Sequence, residues 1–265
     1  MIIKRIELDG PINTRDMGGF INKYGKKIKE KMLLRSGELS ACSKRDKNIL
    51  INEYNLKKIV DLRTDVEIEE TPNPVWRGIV YFHFPVFNAE VMGITRDGNS
   101  LEDMVKTIIS EGNDAAKIYM SKIYKQIVAS DTAKKAYYNF IKVLADKDDG
   151  AVLWNCSAGK DRTGAAAILV LTILGFEKEE IFEDYIKTNE FAEKNIAHFA
   201  ETAKRLTGIN DTRIAAEYMM GVNREYFDTL YNYMESEYGS AEGYIKEGLK
   251  IDDDIVFCIR EKYLI

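Results

Sequence analysis

The chain has 265 residues, 45% of them hydrophobic and 31% charged, with a formal net charge of −5. Such a size and mix fit a soluble globular protein with a sizeable core, and the acidic balance argues against nonspecific binding to nucleic acid or an anionic membrane. Cys42, Cys156 and Cys258 are too few, and odd in number, for a disulfide framework, and no run approaches the ~18 apolar residues of a membrane span. The first ten residues alternate apolar and charged side chains, unlike a signal peptide. The expectation is a cytoplasmic protein with free thiols and no stable membrane insertion.

All four prolines, Pro11, Pro72, Pro74 and Pro85, fall in the first third, which reads as short strands and loops. Residues 20–22 and 27–29 flank Lys23-Tyr24-Gly25-Lys26, a hairpin with Gly25 in its turn. Residues 33–35 form a short apolar strand. Residues 43–53 read as a helix with Ser43 as its N-cap. The β-branched stretch 58–62 predicts a buried strand, and 80–84 predicts another ending at Pro85. His83 within it reads as a core residue. Residues 88–100 are expected to form a Gly-containing loop.

From residue 101 the apolar spacing changes to three and four, predicting helices over 101–109, 115–129 and 132–146. Tyr119, Tyr124, Tyr137 and Tyr138 lie there at helical spacing and read as core and interface residues. Residues 150–154 form a central strand and 163–174 the helix behind it. Helices over 178–188, 190–206, 223–237, 241–248 and 252–262 complete the chain. Strands interleaved with helices imply the α/β class: a central, mostly parallel sheet flanked by helices, with extra C-terminal helices. No repeat or low-complexity linker divides the chain. A single domain over 1–265 is expected, with an α/β part to about 175 and a helical part over about 176–265.

The chemistry concentrates between the central strand and its helix, at Asn155-Cys156-Ser157-Ala158-Gly159-Lys160-Asp161-Arg162-Thr163-Gly164. A strand, a tight loop and a helix N-terminus would aim many backbone N–H groups and a helix dipole at one point, which suits a dianion. A cysteine there is favoured as its thiolate. Arg162 adds a planar fork matching two phosphate oxygens. The residues therefore describe a nucleophile, Cys156, facing a phosphate held by Arg162 and by the backbone of Ser157, Ala158, Gly159 and Lys160. Thr163 is placed to hydrogen-bond the sulfur and to cap the helix. Asp61 and Arg63 stand at a strand end, where open parallel sheets bind ligands. They read either as phosphate-site residues or as a structural ion pair below the loop.

The loop resembles the signature of the cysteine-dependent protein tyrosine phosphatases, Cys-x5-Arg followed by Ser or Thr. Its fuller form, Cys-x-Ala-Gly-Lys-Asp-Arg-Thr-Gly, is similar to a bacterial branch of that superfamily. Asn13-Thr14-Arg15-Asp16-Met17-Gly18-Gly19, Leu34-Arg35-Ser36-Gly37, Val60-Asp61-Leu62-Arg63 with the acidic Glu67, Glu69 and Glu70 after it, and Tyr238-Gly239-Ser240-Ala241-Glu242-Gly243-Tyr244 resemble further segments of the same family. The resemblance implies a cysteine-phosphatase-like fold and hydrolysis of phosphate monoesters, above all phosphotyrosine in proteins, through a cysteinyl-phosphate. It also implies that Asp161 is the general acid, since no Trp-Pro-Asp tripeptide occurs; Asp61 and Asp65 are its rivals. Lys160 would bind a second phosphate and so admit phosphoinositides or a dual specificity. One departure stands out: Asn155 occupies the position where the family usually has His. It can donate a hydrogen bond but carries no charge, which leaves room for a weakly active protein.

The two histidines, His83 and His198, lack metal-ligand spacing, so a metal-independent reaction without cofactor is expected. A nucleotide-binding loop is excluded because Asp161 follows Gly159-Lys160 where Ser or Thr is needed. A phospho-ligand binding module without turnover and a sulfurtransferase using a Cys156 persulfide are the alternative readings.

Overall fold

The structure is a computed structural model that describes residues 4–87, 101–147 and 149–265. The loop expected over 88–100 lies outside the described residues. Six strands form one sheet in the order β1-β2-β3-β6-β4-β5. They are β1 (Lys4–Arg5), β2 (Arg15–Asp16), β3 (Leu33–Ser36), β4 (Leu56–Asp61), β5 (Val80–His83) and β6 (Ala151–Asn155). The β3, β6, β4 and β5 strands run parallel, while β1 and β2 continue the sheet antiparallel. The mostly parallel sheet flanked by helices is as expected. The two-residue strands β1 and β2 are too short for alternation to reveal.

Period-two alternation sends side chains to both faces of the sheet. Val152 and Trp154 of β6, Val60 of β4 and Leu33 of β3 join one large core. Ala151 and Leu153, Ile59 and Leu34 join a second core with Leu39, Leu50 and Trp76. Burial on both faces explains the continuous apolar run in β6. His83 corrects the expectation of a core histidine: it sits in the edge strand, 34% exposed, with Nε2 at 2.8 Å from the Arg63 carbonyl oxygen.

Twelve helices surround the sheet among the described residues. They are α1 (Lys44–Asn48), α2 (Asp65–Glu70), α3 (Leu101–Ser110), α4 (Asn113–Ala129), α5 (Asp131–Ala145), α6 (Asp161–Ile173), α7 (Lys178–Ile186), α8 (Asn189–Thr207), α9 (Arg213–Met220), α10 (Arg224–Tyr238), α11 (Ala241–Gly243) and α12 (Asp253–Tyr263). Ser43 caps α1 as expected, in a reciprocal capping box with Asp46. That helix then widens into a π turn over Ile49–Glu53. The 20–29 hairpin forms with Gly25 at φ +76, joined by one bridge between Ile21 and Lys27. The sequence reading did not include α2 and α9.

The α6 helix is apolar on all sides and is buried from Arg162 to Ile173. It runs behind β6 as the central helix. The C-terminal helices form no layer of their own, because α10 and α9 pack against α4, and α8 against α3. Among the described residues, no helix is long and apolar enough to cross a membrane.

Candidate active site

The strand β6 ends at Asn155, and Cys156 follows at once. Four residues, 157–160, separate it from Asp161, where the chain enters α6. The loop between them is braced through its carbonyls. Ser157 O accepts from Glu38 N at 3.0 Å. Gly159 O accepts from Asn13 Nδ2 at 2.7 Å and from Arg35 Nη2 at 3.1 Å. Lys160 O accepts from Gly164 N at 2.7 Å. With the carbonyls turned outward to these partners, the amides turn the other way. Among the described residues, no backbone N–H of residues 157–162 has an acceptor. Successive unpaired amides at a helix start form an anion cradle.

Gly159 makes the turn possible. Its φ is +65, and a Cβ there would lie 2.5 Å from Gly37 N and 2.6 Å from Ser36 C. Both contacts are to backbone that cannot step aside.

Cys156 is 2% exposed and packs into the larger core. A cleft of about 440 Å³ lies apart from the cysteine, between residues 5–14 and the start of α8. Arg162 is 6% exposed. Its guanidinium donates from Nη1 to Glu67 Oε2 at 2.6 Å and from Nη2 to Glu67 Oε1 at 2.7 Å. This grip uses the end of the fork, and among the described residues Nε–H has no acceptor. Glu67 also accepts from the Ser157 hydroxyl. The same carboxylate closes the capping box of α2, accepting from Thr64 N at 2.8 Å. One helix cap thus aims a carboxylate at the loop arginine.

Burial opposes the Glu67 charge, yet the Arg162 hydrogen bonds and charge outweigh it, helped by Ser157 and the Thr64 amide, and bring its pKa down to about 2 from 4.5. A carboxylate held low when folded adds stability that is present above its unfolded pKa and is lost as pH falls through the folded value. Wild-type stability should therefore fall between about pH 4.5 and 2 partly through this pair. Glu67→Gln should flatten that part of an acid-unfolding curve followed by circular dichroism. Superimposable acid limbs for the two proteins would contradict the pairing.

Asp184 of α7 braces the loop from a second side. Its carboxylate accepts from Arg15 Nε at 3.1 Å and Arg35 Nη1 at 2.7 Å, all three residues being buried. Arg15 also donates to the Asn13 side chain, which itself holds Gly159 O. Burial alone would raise the Asp184 pKa; the two arginines overcome it and hold it low. Burial and then Arg15 draw Arg35 down to about 10. Two guanidiniums share one carboxylate here, so a surplus positive charge is buried beside the cradle.

Three sequence-based expectations need correction. Lys160 does not stand free for a second phosphate. Its Nζ is buried and donates to Met219 O at 2.7 Å and Gly221 O at 3.2 Å, tying the loop to the end of α9. Arg63 is not available to a phosphate. It is fully buried and spends its donors on Asp61, Glu38 and Thr71. Asp61 in turn accepts from Arg63 and, at 2.7 Å, from Asn73 Nδ2. The pair is the structural brace of the two readings, and Asp61 is thereby occupied as a rival acid. Thr163 neither caps α6 nor reaches the sulfur, because its hydroxyl is buried without a partner among the described residues. The Asn155 amide nitrogen is likewise buried and unpartnered.

Asp65, the other rival acid, is 81% exposed and faces His83 Nδ1 at 3.6 Å. Asp161, by contrast, stands at the start of α6 beside the cradle. It accepts from the Tyr124 hydroxyl and lies 3.4 Å from Lys160 Nζ. The sequence reading missed Asp184 and assigned Tyr124 only to the core. Glu67 appeared in it without a role, although Thr64-x-x-Glu67 is a capping-box pattern that would have placed it. Among the described residues, no three His, Cys, Asp or Glu side chains are grouped to hold a metal ion.

An amide cradle at a strand-to-helix turn, with a cysteine before it and an arginine at its end, is the apparatus of a hydrolase that handles phosphate esters. The chain belongs to the tyrosine phosphatase family, whose pattern matches residues 6–265. It is 26% identical over 242 residues to a Cupriavidus necator protein assigned as a tyrosine-protein phosphatase, across 91% of this chain and 82% of that one. It is 27% identical over 267 residues to the triple specificity protein phosphatase PtpB of Mycobacterium tuberculosis, across 91% and 92%. The crystal structure of P. aeruginosa TpbA with phosphotyrosine overlaps it at a TM-score of 0.30 and 14% identity, over 73% of this chain and 89% of that one. The chain is a protein-tyrosine-phosphatase-type hydrolase.

Proposed function

We propose that the chain, acting as one domain in a reducing cytoplasm, hydrolyses phosphotyrosine in proteins through a cysteinyl-phosphate on Cys156. The observation that carries this reading is the set of acceptor-free amides at residues 157–162 directly after the cysteine. In the first step the Cys156 thiolate attacks phosphorus. The S–P bond forms, the P–O bond to the tyrosyl oxygen breaks, and the Asp161 carboxyl protonates the departing phenoxide. In the second step water attacks phosphorus and gives a proton back to Asp161. The S–P bond breaks, and inorganic phosphate leaves. The loop amides and the Arg162 Nε edge hold the equatorial oxygens, where charge grows in the transition state. Glu67 keeps the guanidinium in plane for that task.

The triple specificity named for PtpB makes phosphoseryl peptides and phosphoinositides reasonable second substrates. The buried, fully bonded Lys160 offers them no extra phosphate contact, so phosphotyrosine is the preferred substrate in this reading. The test is phosphate release from phosphotyrosyl and phosphoseryl peptides in the presence of a chelator. Turnover that is faster on phosphotyrosine, indifferent to chelation and blocked by vanadate is expected. Binding without release, or a requirement for added metal, would overturn the assignment.

A further inference from the structure

Asp161 meets the helical layer through an ordered chain of hydroxyls. Tyr185 of α7 donates to the Tyr124 hydroxyl at 2.7 Å, and Tyr124 of α4 donates to Asp161 Oδ1. Both phenols are buried. The Tyr124 ring stacks on Tyr226 of α10, with centroids 4.6 Å apart and planes 17° from parallel. Neither ring has freedom to turn its hydroxyl elsewhere. Each hydroxyl has one proton to give, so donation runs one way and ends on the carboxylate.

We propose that Tyr124 is a positioning residue for the proton transfer: it occupies Oδ1 of Asp161, so that the transferable proton resides on Oδ2 and faces the leaving group. This rests on the reading of Asp161 as the acid. The two oxygens of that carboxyl are chemically equal until something distinguishes them. Here Oδ1 has the Tyr124 hydroxyl and the Lys160 ammonium, at 3.4 Å, beside it. A proton is disfavoured on an oxygen already accepting from a donor and adjacent to a cation. When Oδ2 releases its proton to the phenoxide, the new carboxylate is met by the same two partners. Burial, and then the charge of Asp161, push the Tyr124 pKa well above 10. Tyr124 therefore stays a donor throughout the working pH range.

The role separates from a structural one by its dependence on the leaving group. A departing phenoxide of low basicity needs no proton, whereas one as basic as tyrosine does. The experiment compares kcat/KM, which reports the step that expels the leaving group and not the later hydrolysis of the shared cysteinyl-phosphate, for the wild type, Asp161→Asn, Tyr124→Phe and the double variant Tyr124→Phe/Tyr185→Phe on phenyl phosphate and on 2,4-dinitrophenyl phosphate. The double variant removes the hydroxyl that the single change would strand in the core. Asp161→Asn is expected to lose about 10²–10⁴-fold on phenyl phosphate, the range of a positioned acid, and little on the dinitrophenyl ester. Tyr124→Phe and the double variant should lose about tenfold on phenyl phosphate and less than about threefold on the other, a fraction of the full acid effect. Equal losses on both esters, or none on either, for the two tyrosine variants would overturn the role of Tyr124 while leaving Asp161 in place. A loss for Asp161→Asn that ignores the leaving group would overturn the acid assignment itself, and the proposal with it.

Discussion

Replacing Cys156 with serine is expected to reduce phosphate release from a phosphotyrosyl peptide by about 10⁵–10⁶-fold, the scale seen when an enzyme loses its nucleophile. The hydroxyl is far less acidic than the thiol, so at neutral pH almost none of it is ionised to attack phosphorus. The binding apparatus is untouched. The amides of residues 157–162 are backbone, and Arg162 takes its orientation from Glu67, not from residue 156. Peptide affinity, measured by calorimetry, should stay within a few-fold of the wild type. This pairing of lost turnover with kept affinity separates an enzyme from a binding module. Turnover at the wild-type rate by Cys156→Ser would remove the cysteine from the mechanism.

Replacing Asp184 with alanine is expected to have the largest effect on stability. The change strips the carboxylate shared by Arg15 and Arg35, both of them buried. Removing one partner of a buried ion pair costs about 3–5 kcal/mol, because the remaining charge is left without compensation. Folded domains are stable by roughly 5–15 kcal/mol in total. A drop in Tm of about 10 °C is therefore expected by calorimetry. Activity should fall as well, because Arg35 and, through Asn13, Arg15 hold the Gly159 carbonyl. Glu190→Ala makes a suitable control, as it breaks an exposed pair with Lys187. Its effect should stay within about 0.5 kcal/mol. Equal melting temperatures for Asp184→Ala and the control would show that the buried cluster carries no such weight.

The contrast between Glu67 and Asp184 shows why parts of the site escaped the sequence. Glu67 lies 95 residues from Arg162, yet it belongs to a local pattern, because a threonine three residues before it makes a capping box. A closer reading of that pattern would have placed α2 and pointed the carboxylate. Asp184 offers no such sign. It is one of several acidic residues on α7, and its arginines lie 169 and 149 residues away. Tyr124 is a similar case, since helical spacing marks it as buried but does not say that its hydroxyl meets Asp161. The α9 helix is weakly marked in the sequence, because Thr212 at its N-cap is followed three residues later by Ala215 and not by the Glu or Gln of a capping box. Lys160 and Arg63 misled in the opposite direction. A cation near a phosphate loop suggests a phosphate ligand, until the fold supplies carbonyls and carboxylates that use up its donors.

The order of strands and helices apart from β1, β2, α2 and α9, the central place of β6, and the run from Cys156 to Gly164 could be read from the chain alone. Each depends on residues within a few positions of one another, where periodicity, chain stiffness and glycine's freedom act directly. Which cations are spent, which carboxylate grips Arg162 and which hydroxyl meets Asp161 were settled only by tertiary packing. Those pairings join groups tens of residues apart or more. Their strength comes from burial, which removes competing water only once the sheet and helices have closed around them.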